Sequence, residues 1–236
     1  MNLTDFENAV ATRIQDSANV LTPADRDDAI AQAVKQRYSK DRPNQIVTDV
    51  VADGTSFLPL PTGYEVGFSV ITALEYPIGS VPPNYIAAED WEMYQSPTGW
   101  KVMLKSNTPP PLSLVRVAWN QRHVSGNTVA PGQTGAIAAS VPDADFEAAA
   151  DYAAALCAEK LAARYAQMRD STIGADVNNY GTKAQDCLKL AAALRKRYDN
   201  HVGADEDHNK TAPALAVGDM ELRQGSGVER LTHRRR

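Results

Sequence analysis

The chain has 236 residues, of which 43% are hydrophobic and 22% charged, a composition typical of a globular protein with one or two hydrophobic cores. Lysine and arginine number 24 against 29 aspartates and glutamates, and the formal net charge of -5 argues against a basic protein that coats nucleic acid. No run of about 18 apolar residues occurs, and the first ten residues lack the pattern of a secretion signal. We therefore expect synthesis in a cytoplasm, with neither export nor a membrane span.

Two helices are predicted at the start of the chain. Thr4 and Glu7 have the spacing of a capping box, and apolar residues follow at steps of three and four as far as Leu21. The sequence Thr-Pro-Ala-Asp at 22–25 repeats the start signal, with a threonine cap and a proline in the first turn. The second helix then has its apolar stripe at Ile30, Val34 and Tyr38.

The middle of the chain has the pattern of β structure. Twelve of the 14 prolines lie between Pro43 and Pro142, which excludes a continuous helix there. Runs of β-branched and aromatic residues between turn signals predict strands. The predicted strands are 45–51, 65–74, 101–104 and 112–119. The sequence thus predicts a Pro-rich β insertion domain over 43–135, which includes a connector loop of small residues from 125 to 135.

Two further helices are predicted after the insertion, a long alanine-rich helix from 143 to about 170 and a second from about 182 to 198. Cys157 and Cys187 fall within these helices, which favours reduced core thiols over a disulfide. The predicted fold class is α+β. An antiparallel helical bundle of residues 1–42 and 136–200, with two N-terminal and two C-terminal helices, carries the β insertion and an extended C-terminal tail.

The tail, residues 201–236, contains six acidic and six basic residues but few large apolar ones, so we expect it to become ordered only on other chains. Its basic residues near the end fit three interpretations, which stay open: contact with nucleic-acid phosphates, docking on an acidic protein surface, or solubility alone. The arginines concerned are Arg223, Arg230, Arg234, Arg235 and Arg236.

Residue patterns for catalysis or metal binding are incomplete throughout the sequence. The acidic run at 205–208 consists of adjacent residues that do not converge on one point, and the calcium-loop pattern that starts at Asp176 has Cys187 where a bidentate glutamate is needed. The Gly-Ser-Gly at 225–227 lacks the context of a dinucleotide site. We therefore expect no enzyme activity, no cofactor and no metal.

The insertion also contains a set of large aromatic residues. Such residues form either an open platform for a ligand or the core of a small β unit, and the second arrangement is the more common one. The set consists of Trp91, Tyr94, Trp100 and Trp119.

Four segments carry a resemblance to a known family: Leu-Thr-Pro-Ala-Asp at 21–25, the entry into strands from Val-Thr-Asp-Val at 47–50 to Leu-Pro-Leu-Pro at 58–61, Pro-Pro-Pro-Leu-Ser-Leu-Val-Arg-Val-Ala-Trp at 109–119, and the alanine-rich helix at 146–157. In this order they resemble the head-tail connector or adaptor proteins of tailed bacteriophages. The resemblance covers roughly residues 1 to 200 and is one of architecture rather than of an invariant motif.

This resemblance implies a structural virion protein at the head-tail junction. It would dock as a dodecameric ring of its own copies on the portal protein, extend the channel through which viral DNA passes without sequence recognition, and hold the next neck or tail protein. By analogy, 205–236 with its arginines would be the docking arm, and aromatic residues such as Trp91 and Tyr94 would meet the next ring. Two alternatives stay open: a tail tubular protein of a short-tailed phage, and a carbohydrate- or peptide-binding β module on a helical scaffold.

Overall fold

The computed structural model describes residues 1–14, 16, 19–106, 108–127, 138–168 and 180–203, without the side chains of 180 and 181. The chain is mixed α+β, with helices at both ends of the described sequence and two small antiparallel sheets between them. The predicted docking arm with its five arginines lies outside the described residues, as do most of the connector loop and the start of the calcium-loop pattern. The predicted domain boundaries stay predictions.

The first helix, α1 (Leu3–Ile14), begins before the cap that the sequence predicts. The backbone N–H of Asp5 donates to the side-chain oxygen of Asn2 at 3.0 Å, and the Asn2 N–H donates to the Asp5 carboxylate at 2.8 Å. The predicted Thr4 cap is therefore wrong, because the same three-residue spacing is satisfied two positions earlier. Phe6 and Val10 bury the apolar face, and the helix ends well before Leu21.

The second helix begins where it is predicted to begin. In α2 (Pro23–Ala31), the Asp25 N–H donates to the Thr22 hydroxyl at 3.2 Å and the Thr22 N–H donates to the Asp25 carboxylate at 3.0 Å. The helix continues through a π-helical segment, Gln32–Tyr38, into α3 (Ser39–Asp41). The predicted stripe is buried, as its three members show: Ile30, Val34 and Tyr38.

Six strands are described in the β part of the molecule, defined here as residues 44–106 and 108–121. The first sheet has the order β1-β6-β3 and the second the order β2-β5-β4, with every pair antiparallel. The strands are β1 (Asn44–Val51), β2 (Phe57–Pro59), β3 (Ile71–Glu75), β4 (Trp91–Ser96), β5 (Gly99–Leu104) and β6 (Leu114–Gln121).

Three of the four predicted strands are confirmed in position, whereas the predicted strand 65–74 begins only at Ile71. The N–H groups of Phe68 and Ser69 bond to the Glu65 carbonyl instead, so this stretch is a turn. Strands β2 and β4 are not among the predicted ones. Their sequences are short or polar, and they become strands by pairing with β5.

Residues of both sheets form one hydrophobic cluster. Trp119 is its largest member and is only 1% exposed. Its indole N–H donates to the Thr48 hydroxyl at 3.3 Å, and its ring lies 5.7 Å from that of Tyr64. Burial of the indole with its polar group bonded makes Trp119 the centre of the β part.

The helical part consists of the helices up to Asp41 together with two long ones, α4 (Asp143–Gln167) and α5 (Tyr180–Val202). These helices share a second hydrophobic cluster, in which α4 is central and rich in buried alanines. Helix α5 runs back along α4, since Arg195 pairs with Glu159 and the Tyr198 ring lies 4.9 Å from that of Tyr152. Small side chains allow this close helix approach. Among the described residues, no helix is long and apolar enough to cross a membrane.

The Thr22 cap gives a stability prediction. Replacing Thr22 with alanine removes the acceptor of the Asp25 N–H, and we expect the free energy of unfolding to fall by about 1 kcal/mol in urea titrations. Thr12→Ala is the matched control, because Thr12 lies on the exposed face of α1 and its hydroxyl only bonds back to the Asn8 carbonyl. An equal loss in both variants would contradict the capping role.

Candidate functional site

The two aromatic residues predicted to bind a partner lie on opposite faces of β4. Trp91 is half-buried and packs against the core between the sheets. Tyr94 is partly exposed on the outer face, where its ring lies 5.2 Å from that of Phe57. Trp119 is in the core, and Trp100 at the end of the β4–β5 hairpin is 37% exposed, about as much as Tyr94 at 40%. The tryptophans therefore do not share one open platform.

A patch of exposed aliphatic side chains lies at one end of the first sheet. Leu112 is 85% exposed, Val51 is 51% exposed and Leu114 is 46% exposed. Val51 and Leu114 are register partners in β1 and β6, so their side chains share the outer face of the sheet. Leu112 precedes β6, and its N–H donates to the Ala52 carbonyl at 2.8 Å. We call these three residues the Leu112 patch.

Leu112 holds its exposed position with an unfavourable backbone conformation. Its φ is 65°, in the left-handed region that disfavours side chains with a Cβ. The turn that contains it, 110–113, is closed by the Ser113 N–H and hydroxyl, which both donate to the Pro110 carbonyl, at 3.2 and 2.6 Å. Gly54 backs this turn with a φ of 82°, and a Cβ there would come within 3.0 Å of Pro111. Three prolines followed by leucine are the sequence signal for this turn.

A buried carboxylate joins the ends of three helical segments. Asp145, in the first turn of α4, is 5% exposed. It accepts hydrogen bonds from the Tyr38 hydroxyl at 2.5 Å and from the Arg42 guanidinium at 2.7 Å, and the His201 Nε2 lies 2.8 Å away. We call Tyr38, Arg42, Asp145 and His201 the Asp145 cluster.

The charge of Asp145 is stabilised by these neighbours. Burial alone would raise the pKa of the carboxyl group, but hydrogen bonds from Tyr38, His201 and Arg42 outweigh burial and hold the pKa of Asp145 below its usual value. The pKa of Tyr38 is raised by burial and by the adjacent carboxylate, so its hydroxyl stays a donor. Asp145 is therefore ionised at neutral pH.

His123 connects the β part to the helical part. It follows β6, and its backbone N–H donates to the Ser39 hydroxyl at 2.8 Å. Its Nε2 lies 2.9 Å from the Arg42 carbonyl and its Nδ1 lies 3.0 Å from the Ser140 hydroxyl. Burial lowers the pKa of His123, and Nε2 donates to the Arg42 carbonyl, while Nδ1 lies 3.0 Å from both the carbonyl and the hydroxyl oxygen of Ser140. The histidine is thus a structural link.

The Asp145 cluster has the residue types of an acid-base site but the contacts of a structural one. Its hydrogen-bonding groups are directed at one another, as a satisfied buried network requires. A pocket of about 240 Å³ in the helical part is lined by other residues. Across the described ranges, no three His, Cys, Asp or Glu side chains are arranged to hold a metal ion. Both thiols are free, and burial raises the pKa of Cys157 to about 11.

No protein-family model matches the chain, and no curated protein matches its sequence.

The Asp145 cluster gives a prediction with a pH dependence. Asp145→Asn keeps the shape but removes the charge, and we expect a loss of about 2 kcal/mol, between the values for exposed and fully buried ion pairs, because Arg42 is partly exposed. A lowered folded pKa stabilises the fold above the unfolded pKa of about 3.9, and that contribution disappears as the pH falls through the folded value. The difference in the free energy of unfolding between the unmodified chain and Asp145→Asn should therefore become smaller below about pH 4.

Urea titrations between pH 3 and 7 measure both effects. Asp49→Asn is the control, because the Asp49–Arg116 pair lies on the outer face of the first sheet and the Asp49 side chain is 38% exposed, against 7% for that of Asp145. We expect its loss to stay below about 1 kcal/mol. Two outcomes would show that Asp145 is not the stabilising charge. One is an equal loss of stability in the two variants, and the other is a fall in stability toward pH 3 that is as large in Asp145→Asn as in the unmodified chain.

Proposed function

We propose that this chain is a structural head-tail connector or adaptor protein that acts through contacts with other proteins. The single observation that carries the proposal is the Leu112 patch, supported by the resemblance of the sequence to phage connectors. An exposed leucine in a left-handed conformation costs the isolated chain roughly 1–2 kcal/mol. Covering that side chain with a partner returns about 1.5–3 kcal/mol of hydrophobic free energy. Because covering the Leu112 side chain returns more free energy than its conformation costs, the exposed leucine favours a protein-binding role for this turn.

The connection between the two parts also supports an adaptor. His123 bonds to Ser39, Arg42 and Ser140, and Arg122 donates to the Lys35 carbonyl at 2.8 Å. Arg122 also pairs with Glu65 of the β part at 2.6 Å. Such contacts fix the orientation of the β part on the helices. A protein that links two assemblies needs this property, because each partner then has a defined position.

In the proposed assembly the helices form the antiparallel bundle of a connector, and copies of the chain make a dodecameric ring on the portal protein. Residues 205–236, with the five terminal arginines, are the docking arm. The Leu112 patch and the open ring of Tyr94 bind the next neck or tail protein. The net charge of -5 suits a channel wall past which viral DNA slides without strong cationic contacts.

Reconstruction of the native particle by cryo-electron microscopy tests this function. We expect a ring of this chain between portal and tail, with Leu112 covered by a different protein and residues 205–236 on the portal. Attachment to the nozzle of a short tail would favour a tail tubular protein. A chain found away from the head-tail junction, with Leu112 exposed, would refute the proposal.

A substitution in the Leu112 patch distinguishes an effect on partner binding from an effect on the stability of the fold. Leu112→Gly removes the side chain and also relieves the left-handed strain, so we expect the free energy of unfolding to stay the same or rise by up to about 1 kcal/mol. Incorporation into particles should nevertheless fall at least tenfold in a complementation assay. Val81→Gly is the control, since Val81 is an exposed aliphatic residue on another loop of the β part. Normal incorporation of Leu112→Gly would exclude the patch as a binding surface.

A further inference from the structure

Strand β1 forms one edge of the first sheet, since β6 is the only strand that pairs with it among the described residues. Its eight residues pair with β6 without a break in register. The strand has one charged residue, Asp49, and contains neither proline nor lysine. Edge strands in native proteins are usually protected by such residues, by a bulge or by a covering segment. Strand β1 therefore lacks the usual protection against pairing with another chain.

The opposite edge of the same sheet is protected. Strand β3 has an irregularity in its register with β6 between Ile71 and Ala73. At the end of β3, Glu75 forms a bridge with Tyr85, and its carboxylate accepts from the Gly79 N–H at 3.1 Å. A bulge and a covering loop are two common ways of blocking an edge. Strand β1 is thus the edge of this sheet that is suited to a further strand.

The backbone of β1 directs half of its hydrogen-bonding groups to the free side. Ala52 follows the strand, and its N–H donates to the Ser113 carbonyl at 2.8 Å. Bonded and non-bonded positions alternate in an antiparallel pair, so Val50, Thr48 and Ile46 bond to β6. The N–H and C=O groups of the residues between them point away from β6, and no described residue bonds to them. These residues are Gln45, Val47, Asp49 and Val51, and their side chains are exposed.

The free edge of β1 is complementary to itself. With a two-fold axis at Thr48, an antiparallel second copy places Val47 opposite Asp49 and Gln45 opposite Val51. Each free position then stands opposite another free position, so all of them exchange backbone hydrogen bonds. On the other face of the strand, Thr48 stands opposite Thr48, and two β-branched aliphatic residues stand opposite each other. Such cross-strand pairs are favourable.

Charge and proline select this register over its two neighbours. Moving the axis one residue toward the end of the strand places Asp49 opposite Asp49, and like charges directly opposite each other are unfavourable. Moving it one residue toward the start places Val51 opposite Pro43, which has no N–H to donate. In the selected register, Arg42 before one strand and Asp53 after the other lie at the same end of the pair. The two strand ends therefore carry opposite charges.

We propose that two copies of this chain associate through β1, in an antiparallel register about a two-fold axis at Thr48. The first sheets of the two copies then form one continuous sheet of six strands. The helical parts lie at opposite ends of this sheet, because each is joined to the start of its own β1. A two-fold contact closes with two copies, so the chain on its own forms a dimer. The inference does not depend on the connector function, and a monomeric chain would leave that function untouched.

Sedimentation equilibrium of the full-length chain tests the association. We expect the mass of one chain at low concentration and that of two chains at high concentration. Val47→Glu places a carboxylate opposite Asp49 of the second copy and should raise the dissociation constant about tenfold. Val47→Lys places a cation there and should leave the dissociation constant unchanged or lower it. Val70→Glu is the matched control, because Val70 is 58% exposed against 62% for Val47 but lies at the β3 edge, and it should have no effect.

Hydrogen exchange measured by nuclear magnetic resonance locates the contact in the unmodified chain. The amides of the four free positions should exchange rapidly in the monomer and become protected as the protein concentration rises. The amides of Ile46, Thr48 and Val50 should be protected at every concentration, since they bond to β6. Urea titrations of the three variants show that a change in association is not a loss of the fold.

Four outcomes would overturn the proposal. The first is a chain that stays monomeric up to about 1 mM, and the second is an assembly larger than two copies. The third is an equal weakening by Val47→Glu and by either Val47→Lys or Val70→Glu, which would exclude this register. The fourth is protection of the free positions that does not change with concentration, which would assign the edge to another segment of the same chain.

Discussion

The buried carboxylate of Asp145 is the contact on which the arrangement of the helices depends. A carboxylate with 5% exposure is costly to bury, and here its cost is offset by Tyr38, Arg42 and His201. These partners come from the end of the second helix and the end of α5, while Asp145 starts α4. Because the charge needs all of them, the three helix ends have one mutual position that satisfies it.

The same region also sets the position of the β part. Arg42 uses its guanidinium for Asp145 and its backbone carbonyl for His123, so one residue contributes to both contacts. Each hydrophobic cluster is formed by its own elements, strands in one and helices in the other. Apolar packing alone is not directional. The hydrogen bonds at this junction add the directional contacts that orient one cluster against the other.

Local signals made the helices predictable, whereas the site residues depended on distant contacts. The Thr22 cap and the stripe of the second helix follow from neighbours three or four residues away, which a sequence shows directly. Asp145 has the sequence signature of an ordinary acidic residue in a first helical turn. Its partners lie 107, 103 and 56 residues away, and no pattern in the sequence relates them. Similarly, β4 could be missed because its polar residues become a strand only through pairing with β5.

Register explains why the aromatic set did not form one site. Trp91 and Tyr94 are three positions apart in β4, so the alternation of side chains along a strand places them on opposite faces. Leu112 differs from both, because its exposure is set by a turn rather than by a strand. This turn follows the three prolines, and Gly54 lies against Pro111. Strain in this turn is local and is held by short-range hydrogen bonds, whereas the Asp145 cluster couples distant segments. The molecule thus combines a hydrogen-bonded junction between its two parts with an exposed apolar turn at 110–113.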